Sequence, residues 1–185
     1  MKVRPVHFAL LAVALIGAGL AASRWRRHMP VGNRSVPQPC KPVSPSRYLG
    51  FWYEIGRYEN SFERGLEGVT AEYRVRADVR IKIVNSGRRG GPTGHVKVAE
   101  GWAKVVDGSD NAKLKVSFFG PFFFGDYWVL DHADDYAWSI VGEPSGRYLW
   151  LLCRTAYPSP ELRAAIEGRV RELGYDTDLI RRTDQ

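Results

Sequence analysis

Histidine is scarce in this chain and scattered. His7, His28, His95 and His132 stand far apart with no metal-ligand spacing, so no metal centre is expected. There is no Ser-His arrangement and no pair of carboxylates set for acid-base work, which leaves hydrolytic catalysis without its parts and calls for no cofactor. Repeats and low-complexity tracts are lacking, and so is any RNA- or DNA-binding motif. The longest apolar run, Phe8 to Ala22, falls short of the roughly 20 residues of a membrane-spanning helix. Cysteine occurs twice, at Cys40 and Cys153, and neither directly follows that run.

What is present fits one domain with an appendage in 185 residues. Apolar residues make up 44% and aromatics 12%, enough for a core of useful size. The net charge of +7 is not a nucleic-acid footprint, because the basic residues are spread over polar strand faces and cluster only at Arg24 to Arg27 and at Arg88 and Arg89. A solvated surface, or one facing an anionic membrane, suits them better.

Lys2 and Arg4 before the apolar run, and small residues after it, give residues 1–23 the form of a secretory signal. The adjoining Arg24-Trp25-Arg26-Arg27 resists translocation and favours a retained anchor, so cleaved signal and anchor both stand. Residues 24–45 carry Pro30, Pro37, Pro39, Pro42 and Pro45 and read as an extended linker, with the domain occupying 46–185. The chain is expected in the periplasm or cell envelope, either soluble or held there through residues 8–22.

Period-two alternation predicts eight strands over 50–58, 69–76, 79–85, 95–106, 112–119, 127–132, 136–142 and 148–155. Short connections and one apolar face allow either a sandwich or an up-and-down barrel; an eight-stranded barrel has room for one small ligand. A helix is predicted from Pro160 to Leu173, capped by Ser159 and ended by Gly174, with Leu162, Ala165, Ile166, Val170 and Leu173 as its apolar stripe.

Four motifs decide between the two architectures. Tyr48-Leu49-Gly50-Phe51-Trp52-Tyr53-Glu54-Ile55 opens the first strand; Phe62-Glu63-Arg64-Gly65, Lys115 to Pro121-Phe122, and Tyr148-Leu149-Trp150-Leu151-Leu152-Cys153-Arg154-Thr155 follow in order. Over about residues 45–182 the chain resembles the bacterial lipocalins, the relatives of apolipoprotein D. It departs from them in keeping only Asp131 and Tyr136 of a Thr-Asp-x-x-Tyr motif and in placing Cys153 where a small residue is usual. The resemblance implies an all-β, eight-stranded antiparallel up-and-down barrel with one C-terminal helix outside it. Bacterial members are commonly lipoproteins, but Cys40 lies too far from the apolar run for lipidation.

The resemblance also implies roles. Gly50, Trp52 and Arg154 are fold-motif residues, with the arginine packed over the indole at the closed end. With Trp52 and Arg154 inward, alternation turns Glu54, Gly56 and Tyr58 inward on the first strand and Tyr148, Trp150 and Leu152 on the last, joined by Leu114, Val116 and Phe118. Glu54, Tyr58, Leu114, Val116, Phe118, Tyr148, Trp150 and Leu152 form the expected ligand-binding set. Glu54 should orient a polar ligand group or satisfy a buried arginine or tyrosine. Cys153 should face outward and form a disulfide with Cys40, against the rival of a catalytic thiol inside the calyx. The expected activity is binding, storage or transport of fatty acids, lysophospholipids or similar amphiphiles by a monomer or weak homodimer. The alternatives are an enzyme acting on a lipid in the barrel and an interaction protein whose barrel is filled. Phe122 to Phe124, beside Arg88 and Arg89, are expected at the mouth, suited to a membrane surface.

Overall fold

The computed structural model describes residues 29–75, 80–118, 120 and 122–185. The N-terminal signal or anchor, the ends of two predicted strands at Arg76 and Val79, and Phe119 and Pro121 lie outside the described residues. The compact unit spans Val31–Gln185.

Its wall is made of β1 (Gly50–Tyr58), β2 (Leu66–Val75), β3 (Ile81–Arg89), β4 (His95–Val105), β5 (Lys113–Ser117), β6 (Gly125–His132), β7 (Trp138–Gly142) and β8 (Leu149–Cys153). Each pairs antiparallel with the next, and β1 pairs with both β2 and β8, which closes the barrel. Closure leaves no open edge among these strands. A ninth strand, β9 (Ile180–Arg182), which period-two reading passed over because it is so short, pairs with the upper part of β1. Helix α1 (Pro45–Tyr48) precedes the barrel, and α2 (Pro160–Glu172) packs outside it. Ser159 caps α2 by accepting from the Leu162 amide; Ile166, Val170 and Leu173 are its buried face, while Ala165 of the expected stripe is exposed.

Two apolar clusters share the wall. The inner one contains Trp52, Ala71, Tyr73, Ile83, Ala103, Leu114, Val129, Val141 and Leu152. The outer one, between wall and α2, contains Ile55, Tyr58, Leu130, Ile140, Leu149, Leu151, Cys153, Ile166 and Val170. The Pro-rich segment expected as a linker lies along the barrel from Val31 onward: the amides of Gly32, Cys40 and Val43 donate to carbonyls of Gly146, Leu130 and Asp110, and Val43 joins the inner cluster.

At the closed end the Arg154 guanidinium sits 3.7 Å from the centre of the Trp52 indole. The same guanidinium donates to the carbonyls of Phe51, Arg47, Tyr48 and Leu49, and the indole N–H donates to Tyr48 at 2.8 Å. Gly50, at φ +92°, turns the chain from α1 into β1 beside that guanidinium. The altered Asp131/Tyr136 motif is absorbed locally. Asp131 accepts from Arg169 of α2 at 2.6 Å, and Tyr136, at φ 63°, accepts from the Ser44 amide and lies under Arg47.

The expected disulfide does not form. Both cysteines are free thiols, Cys40 exposed and Cys153 fully buried. Cys153 does face out of the barrel, but α2 covers that face, so its thiol packs with Ile166 and Val170 and burial pushes its pKa up to about 11. Cys40 stays outside, where its sulfur accepts from Arg169 at 3.4 Å.

Two outcomes follow. Arg154→Ala removes the indole contact and takes the guanidinium donor from four carbonyls, of which Tyr48 keeps the indole N–H, so it should lower stability by about 2–4 kcal/mol and the melting temperature by roughly 10 °C, read by calorimetry. In the native protein an alkylating reagent should modify Cys40 alone, with Cys153 reacting only after unfolding, as peptide mass spectrometry would show.

Candidate functional site

Strand alternation sets the site, and one irregularity in β1 resets it. The β1–β8 ladder pairs Glu54 with Leu152 but Gly56 with Leu151, so a bulge sits at Ile55 and every later residue of β1 changes face. Glu54 points inward as expected. Gly56 does not: a side-chain carbon there would meet Ile180 and Leu151 of the outer layer. Tyr58 is likewise outside, in the α2 cluster, donating to the Asp176 carbonyl at 2.7 Å. Arg57 takes the place intended for Tyr58. Its side chain is fully buried, and no period-two count places it inside.

Arg57 organises the polar part of the calyx. Its Nη1 donates to Glu54 at 2.7 Å and to Thr183, and its Nη2 donates to the carbonyls of Glu63 and Leu66. Glu54 also accepts from the Thr183 hydroxyl at 2.5 Å. Burial pushes the Glu54 carboxyl up to about 8, with Glu63 adding to the rise and Arg57 opposing it. Glu63, also raised by burial, accepts from Asn60 and from the Trp150 indole at 2.9 Å. The expected satisfaction of Glu54 by a buried arginine is thus what the fold provides, with its Oε1 committed to Arg57 and Thr183.

The remaining expected residues line the inside. Leu114 and Leu152 are buried in the inner cluster, and Val116, Phe118 and Trp150 pack against it while staying partly exposed. Tyr148 stacks on Trp150, and Phe62 from the β1–β2 loop stacks on Tyr148, an aromatic column at one side of the mouth. Deeper, Tyr73, Tyr127, Tyr48 and Ser139 join hydroxyl to hydroxyl over 2.8–3.1 Å. Burial pushes the Tyr48 phenol up to about 12 and raises Tyr73 and Tyr127, so all three remain neutral.

Burial along β4 marks the depth of the opening. Ala103 and Gly101 are buried, whereas Ala99 and Lys97 on the same inward face are exposed. The lower barrel leaves a void of only about 30 Å³ among Tyr48, Tyr73, Leu114 and Val129, and from Ala99 toward the rim the inward face of β4 is exposed. The Phe-rich loop folds differently from a simple mouth tip. Phe123 lies 5.1 Å from Lys104 on the outer face of β4, beside an open groove of about 310 Å³ lined by Arg80, Glu100, Trp102 and Ser117. Phe122 and Phe124 stack on each other, exposed at 62% and 83%. Arg88 and Arg89 belong to the end of β3 and not to a loop.

Comparison with known proteins agrees with this geometry. The outer membrane lipoprotein Blc of Vibrio cholerae is 44% identical over 153 residues, covering 80% of this chain and 88% of that protein. Apolipoprotein D of Macaca fascicularis is 30% identical, covering 97% and 96%. Insecticyanin from the tobacco hornworm Manduca sexta superposes with a TM-score of 0.67 at 17% identity, over 85% of this chain and 88% of that one, which bears on the fold alone. The lipocalin-like domain model matches residues 43–185, and the chain belongs to that family.

Proposed function

We propose that the protein binds one small hydrophobic or amphiphilic molecule, of the fatty acid or lysophospholipid class, in its upper calyx and stores or carries it at the cell envelope. The observation that carries this reading is the contrast between a lower wall whose Ala103, Leu114 and Leu152 are buried and aromatic residues toward the mouth, Phe118, Tyr148 and Trp150, that remain partly exposed. An apolar wall with a few polar groups suits such a ligand. The relatives named outer membrane lipoproteins support the envelope as its place. Proteins of this family are generally binding proteins, and the commitment of Glu54 and Glu63 to internal partners supports binding without turnover. Residues 1–23, as signal or anchor, would bring the chain to the envelope, where it acts as a monomer or weak homodimer.

The exposed stack of Phe122 and Phe124, with Lys104 against the neighbouring Phe123, supports a second feature, contact of this side of the barrel with an anionic membrane surface during uptake or delivery. Aromatic groups favour the acyl boundary, and each basic residue near an anionic surface adds about 1 kcal/mol.

Trp150→Ala should weaken octadecanoate binding tenfold or more in calorimetric titration while the far-UV spectrum stays that of a barrel; unchanged affinity would assign Trp150 to rim packing. For the membrane, a chain beginning at Val31 should co-sediment with anionic vesicles and less with neutral ones. Phe122→Ser with Phe124→Ser should abolish the share that survives high salt. Equal sedimentation of parent and variant would confine the rim to ligand entry.

A further inference from the structure

The inner wall of β3 and β4 carries polar side chains that no contact above employs. Asn85 stands opposite Ala71 on β2 and Ala99 on β4, in the same alternation as Ile81 and Ile83, so its amide points into the calyx between two methyl groups that leave it room. Its Oδ1 is buried and accepts no hydrogen bond. The hydroxyls of Tyr73 and Tyr127, the nearest polar floor of the calyx, are bonded to each other. A buried acceptor left unmet costs about 1–3 kcal/mol. Toward the rim on the same face, Lys97 stands opposite Gly87 and Arg89 opposite His95, with Lys97 and Arg89 both exposed. Gly87 faces Leu66 and Val69, which confirms the inward side of this register.

The wall therefore presents cations at the rim and a single unmet acceptor below them. The Gly87–Lys97 pair lies two residue steps along the strand from Asn85, about 7 Å, and Arg89 lies four steps from it, about 13 Å. We infer that Asn85 is a specificity-determining residue: its amide oxygen accepts a hydrogen bond from a hydroxyl on the ligand, and the calyx selects single-chain amphiphiles that carry an anionic head and a hydroxyl near mid-chain. This rests on the upper calyx being the binding site. A site with a buried group waiting for a donor rejects the analogue that lacks it more strongly than apolar walls discriminate chain length.

The test compares octadecanoate with 10-hydroxyoctadecanoate by calorimetric titration of the protein and of Asn85→Leu, Asn85→Ala and Lys97→Gln. The parent should bind the hydroxy acid at least fivefold more tightly. Both Asn85 variants should lose that preference, the ratio of the two affinities falling to near one, and near-UV spectra verify that they fold. Lys97→Gln should weaken both acids alike and keep their ratio. Equal binding of the two acids by the parent, or a preference that survives in both Asn85 variants, overturns the inference and leaves the binding reading standing. Failure of both acids to bind overturns both.

Discussion

The guanidinium of Arg154 holds the closed end together, and the usefulness of the open end depends on it. It comes from the last residues of the wall, covers the indole of the first strand, and gathers the carbonyls of the turn by which α1 enters β1. One side chain thus joins the first and last staves of the barrel and the segment that plugs it. Hydrogen bonds to a charged donor are the stronger kind, and here several converge where the backbone would otherwise present unmet acceptors. With that end fixed and the tyrosine hydroxyls bonded in a row above it, the lower barrel is solid, and any guest is confined to the upper half.

The bulge at Ile55 is the second constraint. Without it the upper half of β1 would send Gly56 and Tyr58 inward and Arg57 toward α2. With it, a fully buried arginine enters the calyx wall, where Glu54, Thr183 and two carbonyls are arranged around it. Removing one member of such a cluster costs more than the pair contributes, because the remaining charge is left buried alone. The polar patch is therefore better understood as belonging to the wall than as a set of groups waiting for substrate.

Much of this was legible in the residues. The first strand was bounded by Gly50 and Tyr58, the helix by its Ser159 cap, and the barrel by the Gly-x-Trp and Arg154 motifs. Alternation correctly turned Leu114, Val116, Phe118, Trp150 and Leu152 to the inside. It failed at Tyr58 because a bulge leaves no mark in a strand of mixed composition. It failed for the cysteines because outward parity was equated with accessibility, while α2 covers that face and encloses Cys153. Asn85 and Lys97 are within reach of the same alternation, as continuations of Ile81-Ile83 and of β4, but Asn85 is the last residue of the predicted strand 79–85, and Gly87, Gly90 and Gly91 beyond it interrupt the pattern. Asn33, fully engaged with Ser35 and the Leu173 carbonyl, shows how a proline-rich stretch still finds tertiary partners that no pattern announces.

Strand β1 is shared between two neighbours on one side. Its lower half pairs with β2 from Gly50 to Tyr53, and its upper half pairs with β9 from Gly56 to Tyr58. Between β9 and the upper end of β2 the wall is continued by single links: the Gly68 amide to Asp184, Gln185 to the Val69 carbonyl, and Arg181 to Glu67. A continuous ladder resists separation along its whole length, whereas isolated links can break singly, and local opening concentrates where they are fewest. The barrel consequently has a stiff circumference at its base and a lateral seam at its mouth, so the rim can widen on the β1–β2 side without disturbing the indole and guanidinium below.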